Sequence, residues 1–231
     1  MSLIILCASH LKTEKNVGHM KEMLASQMLQ THVCDVYVSY TGLSLDFDDP
    51  RVHLIKQPEE HLAQFQHYQR LVRTLLDNGV IHSQNYAIFT DDDDIMDPER
   101  NATYLRFIGG GVEVVFIDKS VVRFSNDCDI NEHASSLQNA LLKSGIVIEY
   151  ARPREYVDLC VRGDLLLGFV DAVDGEKYES DCMFNMLVGC YMFDNPGKCI
   201  EVEAKKPLYY YRYTMFREAR HKYLEEANNL P

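Results

Sequence analysis

Short, unbroken apolar runs separated by helix-patterned stretches dominate the first hundred residues, and this alternation narrows the fold most. Leu3-Ile4-Ile5-Leu6-Cys7 has no polar interruption, which suits a strand covered on both faces. Asn16 can cap a helix in which Val17, Met20, Met23, Leu24 and Met28 share one face. Val36-Tyr37-Val38 and Val52-His53-Leu54-Ile55 read as two further strands, with a loop between Tyr40 and Pro50. A second helix is expected from about Glu60 to Asp77, with Leu62, Phe65, Val72 and Leu76 inward and Asn78-Gly79 as its stop. Tyr86-Ala87-Ile88-Phe89 is the fourth strand. Strands alternating with helices predict an α/β class, with a doubly wound, mostly parallel central sheet that binds ligands beyond the carboxyl ends of its strands.

The second half is less regular and predicts a smaller, mixed arrangement. A helix should begin at Pro98 and break at Gly109-Gly110-Gly111. Residues 112–117 and 121–124 read as strands around a turn at Asp118-Lys119-Ser120, and residues 136–143 as a short helix closed by Gly145. Residues 146–148, 156–161 and 208–213 read as strands. Met183, Met186, Leu187 and Cys190 make a helical stripe, and 215–227 a polar terminal helix.

The formal net charge of −12 argues against a nucleic-acid partner, because phosphate backbones are met by Lys/Arg surfaces. The seven cysteines are odd in number and contain no C-x-x-C pair, which predicts reduced, buried thiols in a cytosolic compartment. No run approaches the ~18 apolar residues of a membrane span, so the chain reads as soluble and cytoplasmic, without a membrane span. A chain of 231 residues can bury a full core in a single domain. There is no G-x-x-x-x-G-K-[ST] and no G-x-G-x-x-G, and no His/Cys spacing suits zinc.

The chemistry concentrates in Asp91-Asp92-Asp93-Asp94, which follows the fourth strand and precedes Asp97-Pro98. Four adjacent carboxylates repel one another unless a cation sits among them. Oxygen ligands suit Mg²⁺ or Mn²⁺, ions usually shared with substrate phosphates. In an extended segment Asp91 and Asp93 would face one way and Asp92 and Asp94 the other. Asp97 reads as a helix N-cap.

Asp-x-Asp-Asp-x-x-x-Pro after an apolar strand resembles the DXD motif of GT-A glycosyltransferases, particularly the inverting, family 2-like enzymes. Three further features fit in order along the chain: Cys7-Ala8-Ser9 ending the first strand, Glu179-Ser180-Asp181 before a helix, and Pro207-Leu208-Tyr209-Tyr210-Tyr211-Arg212. The resemblance implies a single GT-A catalytic domain over residues 1–231. About 1–100 would be the nucleotide- and metal-binding half, and about 101–231 the acceptor-binding half. It implies a nucleotide-sugar donor, a UDP-sugar, held with Mn²⁺ or Mg²⁺, and a glycan hydroxyl as acceptor. Asp93 would ligate the metal directly. Asp91 would serve the ribose, or the metal through water, with Asp92 beside it. Asp181 would be the general base, with Glu179 the next choice. Ala8, Ser9, His10, Ser39 and Tyr40 would line the nucleoside, and Asp46, Asp48 or Asp49 would bond the uracil or ribose. Gln64, His67 and Arg70, at three-residue spacing, form one helix face that the resemblance aims at the nucleotide; a solvated face is the alternative. Arg212 would neutralise phosphate. Thr214 stands where such enzymes often carry a histidine ligand, and His221 is a weak substitute. Gln64-Phe65-x-His67-Tyr68 with the four-Asp run is also similar to glycosyltransferase domains of large algal viruses, which would place the protein in a host cytoplasm.

Two other classes fit less well. A nucleotidyltransferase making a nucleotide-sugar needs a Gly-rich, basic loop after the first strand, and Ser9 to Gly18 offers only Lys12, Lys15 and one glycine. A non-enzymatic cation- or carbohydrate-binding module could use the Asp run alone, but the run lacks the twelve-residue loop of an EF-hand.

Overall fold

The computed structural model describes residues 1–59, 61–118, 120–125, 148–151, 155–176, 180–204 and 208–213. The expected helices at 136–143 and 215–227, together with Gly145, Glu179, Thr214 and His221, lie outside these residues.

The main sheet has seven strands in the order β10-β6-β9-β4-β1-β2-β3. β1 (Ser2–Leu11) pairs in parallel with β2 (Asp35–Gly42) and β4 (Asn85–Thr90), and β2 pairs in parallel with β3 (Val52–Lys56). β6 (Val114–Asp118) and β10 (Cys199–Glu203) are parallel to each other. Only β9 (Leu159–Arg162) runs the other way, between β4 and β6. The sheet is therefore mostly parallel and mixed. Ile5, Leu6, Cys7, Val36, Val38, Ala87, Ile88 and Phe89 are completely buried, as runs covered on both faces must be.

α1 (Glu14–Met28) carries the chain from β1 outward to β2, and α2 (Gln64–Asp77) carries it back from β3 to β4. With right-handed crossovers this reversal puts the two helices on opposite faces and makes the β1/β4 boundary the switch point. Thr13, not Asn16, is the N-cap of α1; Asn16 sits at the third helical position and completes the capping box. α2 starts at Gln64, four residues later than expected. Its inward face is Phe65, Tyr68, Leu71, Val72 and Leu75, with Leu76 only partly buried. At the end of β2, Gly42 holds a φ of +88°, and a side chain there would clash with the Leu11 carbonyl.

A second, four-stranded sheet has the order β5-β11-β7-β8. It comprises β5 (Ile95–Met96), β7 (Ser120–Ser125), β8 (Ile148–Ala151) and β11 (Tyr209–Tyr213). α3 (Arg100–Leu105) is one short helix that ends well before the glycine run. α4 (Gly163–Asp171) has no counterpart in the sequence reading. In α5 (Ser180–Asp194) the inward residues are Phe184, Val188 and Met192, while Met186 is 62% exposed. The Met186/Cys190 stripe misled because this helix is apolar around its circumference, so no single stripe marks its core side. For the same reason the expectation of uniformly buried thiols fails: Cys7, Cys34 and Cys160 are buried, but Cys182 and Cys190 are exposed. Among the described residues no helix is long and apolar enough to cross a membrane.

Candidate active site

β4 ends at Thr90, and the acidic run follows at the carboxyl edge of the sheet, beside the end of β1. The chain bends through residues 92 and 93 rather than staying extended, so the expected alternation does not hold. Asp91, Asp92 and Asp93 are all part-exposed on the rim, and only Asp94 is fully buried.

Each carboxylate is held differently. Asp91 Oδ1 accepts Gln64 Nε2–H at 2.8 Å and the Tyr156 hydroxyl, and the Asp91 N–H donates to the Tyr209 hydroxyl at 3.2 Å. Asp92 Oδ2 accepts the Ser9 hydroxyl at 2.5 Å, which bridges the switch point between β1 and β4. Burial, then the charges of Asp93 and Asp91, push the Asp92 carboxyl up to about 7, opposed by the Ser9 bond. Asp94 accepts the Arg212 backbone N–H at 2.7 Å, and burial and the neighbouring Asp93 and Asp91 raise it well above the usual carboxylate range.

Arg212 does not reach outward to a phosphate. Its side chain is 1% exposed; Nε donates to the Asp93 carbonyl at 2.6 Å and Nη2 pairs with Glu22. β11 pairs with β5, immediately after the run, so Arg212 fastens the run's main chain. Asp97 is buried and caps the turn before α3: Oδ1 accepts the Glu99 N–H at 2.9 Å and Oδ2 the Tyr210 hydroxyl at 3.2 Å.

The α2 face Gln64, His67, Arg70 is neither wholly solvated nor uniform. Gln64 reaches Asp91. His67 is 1% exposed; its Nδ1 lies 2.9 Å from the Ser39 hydroxyl, which accepts Gln57 Nε2–H at 2.9 Å. Since Gln57 donates to Ser39, the Ser39 proton is free to go to His67 Nδ1, which leaves Nε2 as a donor. Among the described residues that buried Nε2 has no hydrogen-bond partner, and neither has the buried Glu59 Oε2, whose other oxygen pairs with Arg70 at 2.5 Å. Burial, then the charges of His10 and Arg70, lower His67 to about 4, so the ring is neutral at pH 7. His10 stacks edge-on against His61 at 4.6 Å and bonds Thr41.

Ala8 and Tyr40 are buried at the ends of β1 and β2, with Ser9 opposite Tyr40 in the register. Asp46 pairs with Lys21 and Asp49 with Arg51, on the surface. Asp181 lies in the first turn of α5, its Oδ1 accepting the Cys182 N–H at 2.8 Å. One turn on, Phe184 packs against Phe89 and Phe65 at 5.2 and 5.4 Å, which brings this helix start alongside β4 and α2.

Two residues of the site escaped the sequence reading. Tyr156 was read within a strand; it opens a single 3-10 turn, Tyr156–Asp158, before β9. Arg100 is 1% exposed and donates to the carbonyls of Phe89 and Val157 at 2.9 and 2.7 Å. Neither carries a local signal, because each is defined by partners more than ten residues away.

Among the described residues no group of three or more His, Cys, Asp or Glu side chains is arranged to hold a metal ion. A cation here would have one or two carboxylate ligands and share the rest with substrate phosphate and water, which suits Mg²⁺ or Mn²⁺. The surroundings suit a cation beside the run: the Asp91 and Asp92 carboxylates take hydrogen bonds only from uncharged groups.

No protein-family model matches the chain, and no curated protein does. Solved structures match it in fold. The chain is similar to a 4-diphosphocytidyl-2C-methyl-D-erythritol synthase, with 14% identity and a TM-score of 0.54, over 96% of this chain and 97% of that one. It is similar to S. aureus TarS 1-349 solved in complex with UDP, with 12% identity and a TM-score of 0.56, over 93% of this chain but only 61% of that one. It is also similar to glucosyl-3-phosphoglycerate synthase from Mycobacterium tuberculosis, solved with Mn²⁺ and UDP, with 13% identity and a TM-score of 0.50, over 95% and 75%. These likenesses show a GT-A-like α/β fold.

Proposed function

We propose that the protein is a metal-dependent glycosyltransferase that moves a sugar from a nucleoside diphosphate sugar, a UDP-sugar, to a glycan hydroxyl with inversion at the anomeric carbon. One observation carries this reading. At the switch point of a GT-A-like sheet, Asp91 and Asp92 stand on the rim with only uncharged partners, beside Asp93. Carboxylates so placed are favoured in their ionised form by a divalent cation and attract one.

In this reading Asp93 ligates the ion directly, while Asp91 serves the ribose or reaches the ion through water. The bound ion would supply Lewis-acid neutralisation of the leaving diphosphate. Ala8, Ser9 and Tyr40 line the nucleoside. His67 Nε2–H and Glu59 Oε2 are a buried donor and acceptor left without partners. A nucleoside, with acceptor and donor atoms on its base edge and its ribose, can satisfy both. Asp181 takes the proton of the acceptor hydroxyl as that oxygen attacks the anomeric carbon and the bond to the diphosphate breaks. Residues 1–100 then form the donor side of one catalytic domain, and 101–231 the acceptor side.

A nucleotidyltransferase shares the fold but needs a triphosphate-binding loop after the first strand. Here β1 ends at Leu11 and α1 begins at Glu14 behind its Thr13 cap, a short connection that argues for the transferase reading over this one.

Calorimetric titration with UDP, GDP and ADP, each with and without Mn²⁺, tests the reading. UDP should bind only with metal, and Asp93→Asn should lower that affinity by at least about tenfold, the order expected for losing a direct ligand. Failure of every nucleotide to bind, or an Asp93→Asn variant that keeps transfer and its Mn²⁺ dependence, would overturn it.

A further inference from the structure

One oxygen of Asp91 is held by two side chains from different elements, and one of them comes from an unexpected direction. Because β9 is antiparallel to β4, with Ile88 opposite Cys160, the turn that precedes β9 arrives at the carboxyl end of β4. That turn presents Tyr156. Its ring is 4% exposed and is wedged by Phe65, Tyr68 and Phe89, with centroids at 5.8, 6.0 and 6.0 Å. So packed, the ring aims its hydroxyl at Asp91 Oδ1, which Gln64 Nε2 also reaches; Gln64 Nε2 lies 2.7 Å from the Tyr156 oxygen as well. The three groups close a triangle in which Oδ1 is fully occupied.

We infer that Tyr156 is a positioning residue that fixes Asp91 in one orientation, reserving Oδ1 for protein donors and leaving only Oδ2 to the metal–nucleotide complex. A carboxylate so held meets the complex through one oxygen. Freed, it can rotate and turn both oxygens onto a cation, and the order of the rim is lost. Gln64 supports the same oxygen from α2, but its long side chain is exposed and adjustable, whereas the tyrosine ring is locked by packing. The inference rests on the proposed function, since it concerns the same site.

Tyr156→Phe keeps the ring and its aromatic contacts while removing the hydroxyl. By calorimetry the variant should bind UDP with Mn²⁺ about tenfold more weakly than the parent, the scale of losing a hydrogen bond to a charged group. Its thermal midpoint should stay near the parent's. In an Asp91→Asn background the same change should add less than about twofold, because its effect passes through Asp91. Tyr86→Phe, whose lost hydroxyl bonds the Val112 carbonyl at 2.5 Å at the far end of β4, should leave the Mn²⁺-dependent affinity within about twofold. Parent-like UDP–Mn²⁺ binding by Tyr156→Phe, or a full tenfold loss on top of Asp91→Asn, would overturn the inference while leaving the proposed function standing. A parent protein that binds no nucleotide would remove the proposed function itself.

Discussion

Asp92 is one of the groups through which the protein responds to pH. Its carboxyl is pushed up to about 7 in the fold, from an ordinary value of 3.8. Between those values the folded chain holds a proton that the unfolded chain has released. The contribution of Asp92 to stability therefore falls as pH rises through that window and levels off above it. The loss is on the order of 2–4 kcal/mol. Urea unfolding in metal-free buffer should show the parent's midpoint falling relative to that of Asp92→Asn from about pH 5 to about pH 7.5, a comparison in which the opposite trend of His67 and His19, each lowered to about 4, cancels; millimolar Mn²⁺ should flatten the difference by stabilising the ionised run. A parent-to-variant difference that stays level across that range would show that Asp92 is not held protonated.

At the scale of elements, Arg100 on α3 is the fastener between β4, the 3-10 turn and β11. Besides its bonds to Phe89 and Val157, its guanidinium lies 5.7 and 5.4 Å from the ring centroids of Tyr104 and Tyr209. Arg100→Ala should cost roughly 3–5 kcal/mol in chemical denaturation, since two buried carbonyls lose their donor and a large side chain is removed; a loss below about 1 kcal/mol would show that those carbonyls find other donors. The sequence reads the alternation of β1, α1, β2, β3, α2 and β4 well because burial on both faces writes continuous apolar runs into the chain. It places the acidic run at the end of β4 because unbalanced charge is local, but not the bend at residues 92 and 93, which has no local signal. It misses the grip of Arg100 and Tyr156 because neither apolar periodicity nor spacing encodes a partner in another element. It misplaces Arg212 outward because an arginine beside four aspartates looks like a ligand for substrate, while pairing with β5 turns it under the run.

At the scale of the molecule, the described residues form two sheets, and the acidic run is one of the passages between them. The main sheet leaves β4, passes through the run and enters β5 of the second sheet, and Arg212 ties the return strand β11 to that passage. Arg212→Met should therefore lower the unfolding free energy by roughly 2–4 kcal/mol, through the orphaned Asp93 carbonyl and the lost Glu22 pairing, and should weaken Mn²⁺-dependent binding with it. The exposed Arg73–Asp171 pair, 2.7 Å apart, provides the contrast: Arg73→Ala should shift stability by no more than about 0.5 kcal/mol. Equal losses in the two variants, read from the same denaturation curves, would remove the distinction between fastening and surface pairing.

The hydrogen bonds around the run also dictate when it comes into being. Ser9 meets Asp92 across 83 positions, Tyr156 meets Asp91 across 65, and Arg212 meets Asp93 across 119. Contacts this distant give a fold of high contact order, which forms slowly compared with one built from neighbours. During synthesis the first four strands can pair long before Tyr156 and Arg212 have left the ribosome. The nascent chain thus carries an assembled sheet whose edge aspartates hold only the Ser9 and Gln64 bonds, and the run is fastened on its remaining sides only after Tyr156 and Arg212 emerge.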